Sequence, residues 1–121
     1  MLQSIGQVAI NAKDVPRATA FYRDVLDLEL LFEAGGMAFF TCGGVRLMIG
    51  KAEHPEFDHP GSILYYRVAD IQAAASQLKE KGVTLEGEPH LIARLADHDL
   101  WMAFLRDSEG NMLALMSEVR P

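Results

Sequence analysis

Two hairpins of the same kind, one in each half of the chain, constrain the possible fold most strongly. In the second half, the apolar residues 100–105 and 112–116 flank the polar segment 106–111, which contains Gly110. In the first half, residues 37–41 and 45–49 flank a short turn with two glycines. Apolar runs separated by a short polar segment with glycine are typical of β-hairpins. The chain is therefore predicted to build the same structural unit twice.

Each hairpin follows a predicted strand and helix, which extends the repeat to about 55–60 residues. Residues 7–11 and 62–68 have the pattern of half-buried strands. Asp14 is a candidate N-cap with Pro16 in the first helical turn, and Asp70 occupies the same place 56 residues later. Each half therefore reads β-α-β-β-β. Further strands are predicted at residues 28–33, 37–41, 45–49 and 83–86, while residues 88–99 fit either a strand at 91–95 or a turn.

Composition and charge limit the class of protein. With 121 residues, the chain is expected to form one domain, with module one at about 4–50, a linker at 51–61 and module two at about 62–118. The net charge of −6 argues against nucleic acid and anionic membranes as partners. A single cysteine, Cys42, excludes an internal disulfide framework and is interpreted as a turn residue. No signal peptide or membrane span is expected, which favours a cytoplasmic location.

Two segments carry a family resemblance that covers nearly the whole chain. Residues 21–28, Phe-Tyr-Arg-Asp-Val-Leu-Asp-Leu, and residues 104–113, ending in Glu-Gly-Asn-Met-Leu, are similar to signatures of the vicinal oxygen chelate superfamily. This superfamily includes glyoxalase I, extradiol dioxygenases, fosfomycin-resistance enzymes and bleomycin-resistance proteins. The resemblance implies an α+β fold in which two βαβββ modules form a curled mixed sheet cup with the helices outside. It also implies a homodimer, often with exchanged modules.

The resemblance also locates four positions where metal-binding members carry histidine, glutamate or glutamine ligands. In this chain they align with Gln7, Met48, Ile63 and Ala114. Shifting the second position by one residue offers Leu47 or Ile49, and shifting the third forward offers Leu64. A divalent cation needs several nitrogen, oxygen or sulfur ligands, which are usually charged. We therefore expect no metal ion and no other cofactor.

Strand alternation predicts which side chains share the concave face, because residues two apart point the same way. The predicted lining is apolar and rich in methionine, which suits aromatic ligands, although a methionine stripe is also common in cores. The predicted ligand-binding residues are Gln7, Asn11, Arg46, Met48, Ile63, Tyr65, Arg67, Trp101, Met112 and Ala114. The face on which Trp101 lies is left open.

Three further sets of residues have alternative interpretations. Arg46 and Arg67 either pair with acids at the rim or bind an anionic or carbonyl group of a ligand. His54 and His59 could bind Zn²⁺ with neighbouring acids, although a solvated loop is the simpler interpretation. His98 fits a surface turn, a ligand contact or a proton carrier.

The predicted function is that of a metal-free small-molecule-binding protein that holds an apolar or aromatic ligand in the sheet cup. No catalytic residue is assigned, because no nucleophile elbow and no phosphate-binding loop is present. The alternative is a lyase, isomerase or dioxygenase-like enzyme with displaced metal or catalytic residues, using His98, Tyr65 and Arg67. A third possibility is an interaction module whose cup is filled by side chains.

Overall fold

The computed structural model describes residues 1–121 and contains two compact units, Met1–Gly61 and Ser62–Pro121. Each unit has the chain order β-α-β-β-β and forms one four-stranded mixed sheet. This confirms the predicted α+β class and the two βαβββ modules. Neither helix has the length and hydrophobicity that a bilayer-spanning segment requires.

The first unit arranges its strands in the order β1-β4-β3-β2, with β1 and β4 parallel and the other pairs antiparallel. A register irregularity interrupts the pairing of β2 with β3 between Leu30 and Phe32. A 3₁₀ turn, Pro55–Phe57, lies within the predicted linker. The remaining elements are β1 Gln7–Asn11, α1 Val15–Ala20 with a π-helical turn at Phe21–Val25, β2 Glu29–Ala34, β3 Met37–Cys42 and β4 Val45–Gly50.

Helix α1 begins as predicted and covers one face of the first sheet. The Asp14 carboxylate accepts a hydrogen bond of 3.1 Å from the backbone N–H of Arg17, which satisfies a donor at the helix N-terminus. Tyr22, in the π-helical turn, is buried, and its ring lies 6.2 Å from that of Phe40 on β3. Leu47 on β4 points to the same side and is also buried. The alternate strand residues therefore face away from the helix.

The second unit repeats this arrangement with the strand order β5-β8-β7-β6, in which β5 and β8 are parallel. Two predicted strands differ from the structure: that at 62–68 is shorter, and that at 83–86 is reduced to one bridge between Leu85 and Leu105. The ambiguous segment 88–99 contains a strand. The elements are β5 Leu64–Arg67, α2 Ile71–Glu80, β6 His90–Arg94, β7 Asp99–Arg106 and β8 Met112–Val119.

Helix α2 has the cap residues that the repeat predicts. The Asp70 carboxylate accepts a hydrogen bond from the backbone N–H of Ala73 at 3.1 Å. Gly82, at φ +87°, ends the helix and donates its N–H to the carbonyl of Lys79. Ile71 and Leu78 are buried on the side of the helix that packs on the sheet. As in the first unit, one sheet face is covered and the other is left uncovered by a helix.

The turn between β7 and β8 is held by one buried carboxylate. Asp107 is 7% exposed, and its Oδ1 accepts hydrogen bonds from the backbone N–H groups of Glu109 at 2.8 Å and Asn111 at 2.9 Å. Its Oδ2 accepts a third bond from the Asn111 side-chain amide. Gly110 adopts φ +84°, which glycine tolerates without strain. This turn sets the register of the longest strand pair in the protein.

Replacing Asp107 with alanine should lower the free energy of unfolding by about 2–3 kcal/mol, because buried N–H donors lose a charged acceptor. Asp107→Asn retains an acceptor at Oδ1 and should lose roughly half as much. Urea denaturation monitored by circular dichroism measures both values. Equal stability of Asp107→Ala and the unmodified protein would contradict this account of the turn.

Candidate functional site

The sheet face opposite α1, here called the first open face, carries four of the predicted ligand-binding residues: Gln7, Asn11, Arg46 and Met48. On the parallel pair β1–β4, Gln7 is the register partner of Arg46, and Ala9 is the partner of Met48. Their side chains alternate with Leu47 and other residues that face the helix. Strand pairing therefore brings the predicted residues of β1 and β4 together.

Gln7, Arg46 and Met48 are joined by contacts between their side chains. The Nε of Arg46 donates a hydrogen bond of 2.7 Å to Oε1 of Gln7. The Nε2 of Gln7 in turn donates to the sulfur of Met48 at 3.7 Å. The amide oxygen of Gln7 is thus engaged by a guanidinium, which carries a permanent positive charge.

Two aromatic residues that sequence analysis missed complete this group. The guanidinium carbon of Arg46 lies 5.5 Å from the centre of the Phe39 ring, within the range of a cation–π contact. Phe32 stacks on Phe39 with ring centres 4.5 Å apart and an interplanar angle of 20°. Phe39 could have been found by pairing the two strands of the predicted hairpin residue by residue, because this places Phe39 beside Met48. Phe32 was not predictable in this way, because the irregularity after Leu30 shifts the register of β2.

Asn11, another predicted ligand residue, is engaged within its own unit. Its side-chain amide donates a hydrogen bond of 2.5 Å to the backbone carbonyl of Phe57. This contact connects the end of β1 to the 3₁₀ turn Pro55–Phe57. The structure therefore gives Asn11 a role in holding the loop and does not join it to Gln7 and Arg46.

The sheet face opposite α2, here called the second open face, is centred on Ala114. In register, Ala114 lies between Tyr65 on β5 and Phe104 on β7. The two rings meet edge to face with their centres 6.0 Å apart. Alanine is small enough for the flanking rings to meet above it, and Ala114 is 0% exposed. The Tyr65 side chain itself remains 46% exposed.

Met112 and Ile63, two other predicted ligand-binding residues of the second unit, lie on or next to this face. Met112 and Met116 alternate with buried residues of β8 and are half-buried on the same face as Ala114. Ile63 directly precedes β5 and is exposed. His90, which was not predicted to lie here, stacks against Phe104 with ring centres 6.4 Å apart.

Trp101 lies on the other face of the second sheet. It alternates with Met102 on β7 and shares its side with Ala103 and Leu105, which are completely buried. Its register partner, Ser117, is also buried. The structure therefore does not bring Trp101 together with Tyr65.

The two arginines whose roles were left open differ in their partners. Arg67 lies 3.7 Å from a carboxylate oxygen of Glu118, as the rim alternative predicted. Arg46 forms no ion pair with a carboxylate; its polar partner is the Gln7 amide. Glu29 is the register partner of Thr41, so its side chain lies on the first open face. Glu29 was missed because its strand was not assigned to the predicted face. Glu118 was missed because the predicted apolar run ends at residue 116, whereas β8 extends to Val119.

Glu118 belongs to a network of charges that ends at His98. Arg120 donates hydrogen bonds to Glu118 at 3.1 Å and to Asp97 at 2.8 Å. A ring nitrogen of His98 lies 2.8 Å from the other carboxylate oxygen of Asp97. The hydrogen bonds from Arg120 and then His98 lower the pKa of Asp97 from 3.8 to about 2. His98 is thus positioned by an ionised carboxylate, in the same network as Arg67.

The candidate zinc ligands are engaged separately. His54 packs edge-on against Phe57, and a ring nitrogen of His59 lies 3.0 Å from the carbonyl of Pro60. No group of three or more histidine, cysteine, aspartate or glutamate side chains is placed to share a metal ion. Cys42, predicted to be a turn residue, is instead the last residue of β3 and pairs in register with Val45, because Gly43 and Gly44 alone form the turn at positive φ. Its thiol is free and of intermediate exposure.

A cavity of about 600 Å³ in the first unit lies away from these residues. It is open to solvent near the start of α1 and the turn between β2 and β3. None of the predicted ligand-binding residues lines it. Its lining residues are Lys13, Asp14, Val15, Pro16, Gly35, Gly36, Met37, Lys51 and Glu53.

Comparison with known proteins identifies relatives over most of the chain. The family model described as Glyoxalase/Bleomycin resistance protein/Dioxygenase superfamily matches residues 4–115. A metallothiol transferase FosB from Staphylococcus epidermidis is 23% identical over 115 residues, which are 93% of this chain and 66% of that protein. A metallothiol transferase FosB from Staphylococcus saprophyticus is 33% identical over 51 residues, which are 42% of this chain and 34% of that protein. The matched region thus spans between 34% and 66% of the lengths of these two relatives.

Solved structures with similar folds cover almost the entire chain. A superfamily member from Sphaerobacter thermophilus aligns with a TM-score of 0.81 and 20% identity, covering 97% of this chain and 98% of that one. Lactoylglutathione lyase from Agrobacterium tumefaciens aligns with a TM-score of 0.75 and 23% identity, covering 96% and 94%. At these identities, the similarity establishes the fold.

The lowered pKa of Asp97 should be measurable by NMR titration of its side-chain carboxyl. We expect a midpoint near 2 in the folded protein and a shift part of the way to 3.8 in Arg120→Gln, because the His98 contact remains. Since the folded pKa is the lower one, the stabilisation is present above about pH 4 and is lost as the pH falls towards 2. Arg94→Gln, which removes a different exposed ion pair, is the control. An unchanged midpoint in Arg120→Gln would contradict the assigned cause.

Proposed function

Since the chain belongs to the Glyoxalase/Bleomycin resistance protein/Dioxygenase superfamily, we propose that it is a metal-free protein that binds an apolar or aromatic small molecule on its open sheet faces. The faces provide exposed aromatic and methionine side chains beside a few polar groups. Such a combination is usual in small-molecule sites. Sequestration, sensing and transport of a compound are all compatible with this chemistry.

The observation that carries the proposal is the environment of Ala114. The family resemblance implies that metal-binding members carry a glutamate ligand at this position. The methyl group of alanine has no atom that could bind a cation. The position is also fully buried, and the rings of Tyr65 and Phe104 meet above it. A metal ion at this point would need a ligand that is absent and space that the two rings occupy.

The other three positions also fit a divalent cation poorly. Gln7 is hydrogen-bonded to a guanidinium, so a cation bound there would approach a fixed positive charge. Met48 offers a thioether, which suits soft metals and is a poor ligand for hard ones. Ile63 has no donor atom. These residues therefore do not form a metal site of the kind that the family resemblance implies.

The same residues are suited to binding flat apolar molecules. Phe32 and Tyr65 expose 46% of their surface each, although both are anchored by ring contacts to Phe39 and Phe104. Aromatic surfaces that are already held in place lose little entropy when a ligand stacks on them. Half-buried methionines beside them can adjust to the outline of a ligand.

An enzyme is the second candidate function, favoured by the match to a protein named metallothiol transferase over 93% of this chain. Of the residues suggested for catalysis, Arg67 and His98 lie in one charge network, and Tyr65 shares a strand face with Arg67. In this alternative, a metal ion would be bound at a site other than the four family positions. Metal binding therefore separates the two candidates.

We expect protein purified without chelators to contain no stoichiometric Ni²⁺, Zn²⁺, Mn²⁺ or Fe²⁺ by elemental mass spectrometry. Adding these ions should leave Tm unchanged. A neutral aromatic probe, 2-naphthamide, should raise Tm, because a ligand at 100 times its Kd adds about 2.7 kcal/mol, or roughly 10 °C for a chain of this size. Stoichiometric metal, or a large rise in Tm with metal alone, would support the enzyme and refute the proposal.

Tyr65→Ala should weaken 2-naphthamide binding about fivefold, because an aromatic contact contributes about 1 kcal/mol. Leu95→Ala is the matched control, since Leu95 is also an exposed apolar side chain but lies in the turn after β6. Isothermal titration calorimetry measures both affinities. Equal losses in the two variants would show that binding is not located on the second open face.

The proposal also includes a homodimer and a cytoplasmic location. The family resemblance supports the dimer, and the single cysteine is consistent with a reducing compartment. Sedimentation velocity should give a mass near twice 13.4 kDa at micromolar concentrations. A monomer at these concentrations would remove the dimer from the proposal without affecting ligand binding.

A further inference from the structure

We propose that Arg46 binds the carboxylate of an aromatic ligand whose ring lies on Phe32 and Phe39. This inference rests on the proposed function and deepens it, since it names the class of ligand and the place of its charged group. It concerns only residues of the first open face. Arg46 has free donors, a fixed orientation and an aromatic surface beside it.

Arg46 keeps most of its hydrogen-bonding capacity. A guanidinium has five N–H donors, and the Nε of Arg46 uses one of them on Gln7. Its two terminal nitrogens form no hydrogen bond or ion pair with the protein. Five other arginines do form ion pairs with carboxylates, namely Arg23, Arg67, Arg94, Arg106 and Arg120. Arg46 is thus available to an anion from outside the chain.

The position of Arg46 in the sheet separates it from an ordinary surface arginine. Strand β4 is an interior strand, between β1 and β3. The neighbours of Arg46 in register are Gln7 and Thr41, both uncharged. Its positive charge therefore lies within the open face and not at an edge of the sheet. In a chain of net charge −6, this gives the face a local positive site.

Two contacts orient the guanidinium for a carboxylate. The bond from Nε to Gln7 holds one edge of the planar group, and Phe39 supports it at 5.5 Å. The remaining edge, with both terminal nitrogens, is the one that binds carboxylates in a bidentate manner. Gln7 is therefore a positioning residue, and Arg46 is the residue that would contact the ligand.

The aromatic surface and the nearest acid define what the ligand can be. Phe32 stacks on Phe39 and is 46% exposed, so it can accept a further ring. Glu29, on β2, lies two strands away from Arg46 by register, or about 10 Å. At that separation its repulsion of an anion is largely screened at physiological ionic strength. A carboxylate attached directly to an aromatic ring satisfies both the charge and the stacking surface.

Calorimetry with two ligands of the same shape tests the inference. The probes are 2-naphthoate, which is ionised at pH 7, and the neutral 2-naphthamide. We expect 2-naphthoate to bind at least tenfold more tightly, with an advantage that shrinks as salt is added. Arg46→Met should abolish this advantage while retaining 2-naphthamide binding. Arg94→Met, which removes another exposed arginine on an edge strand, should change neither affinity.

Each outcome decides one of the two proposals. If both probes bind equally to the unmodified protein, the carboxylate assignment is wrong and the proposed function stands. If neither probe binds, the proposed function fails as well. An advantage of 2-naphthoate that survives Arg46→Met, or that is lost in Arg67→Met instead, would place the anion elsewhere and overturn the inference. Circular dichroism of each variant establishes that the fold is retained.

Discussion

Each sheet has two unlike faces, and the candidate site depends on this difference. A single helix packs on one side of each four-stranded sheet, and strand alternation sends every second residue to the other side. Tyr22 and Leu47 are buried on the covered side, whereas Arg46 and Tyr65 remain exposed on the open sides. The open faces are not covered by a helix and carry polar and aromatic side chains, which the proposed function uses to contact a ligand.

The side chains at two of the four family ligand positions suit a metal ion poorly, for different reasons on the two open faces. At Gln7, the chain places a permanent cation beside an amide, so the local charge opposes a second cation. Ala114 has no donor atom for a metal ion, and the rings of Tyr65 and Phe104 lie over it. The first environment offers a guanidinium to the proposed anionic ligand, and the second offers an apolar surface. In the proposed function, these two environments recognise an organic ligand by its charge and its shape.

The sequence predicted the fold and much of the candidate site because both depend on short-range periodicity. The repeat of Asp14 and Asp70 located the helix starts, and alternation placed Gln7 with Arg46. Periodicity could not locate Phe32, because an irregularity in β2 shifts its register. Charge partners were also beyond sequence reasoning: two exposed arginines look equivalent until Glu118 is seen beside Arg67.

Methyl NMR of ¹³C-methionine protein tests the central claim most directly, because Met48 on the first open face lies in contact with Gln7. After treatment with a chelator, the account predicts that a neutral aromatic ligand shifts methionine methyl signals on the open faces through its ring current. It also predicts that one equivalent of Mn²⁺ leaves the Met48 signal unbroadened. Selective paramagnetic broadening of Met48 at that ratio would place a metal ion at the open face and contradict the account.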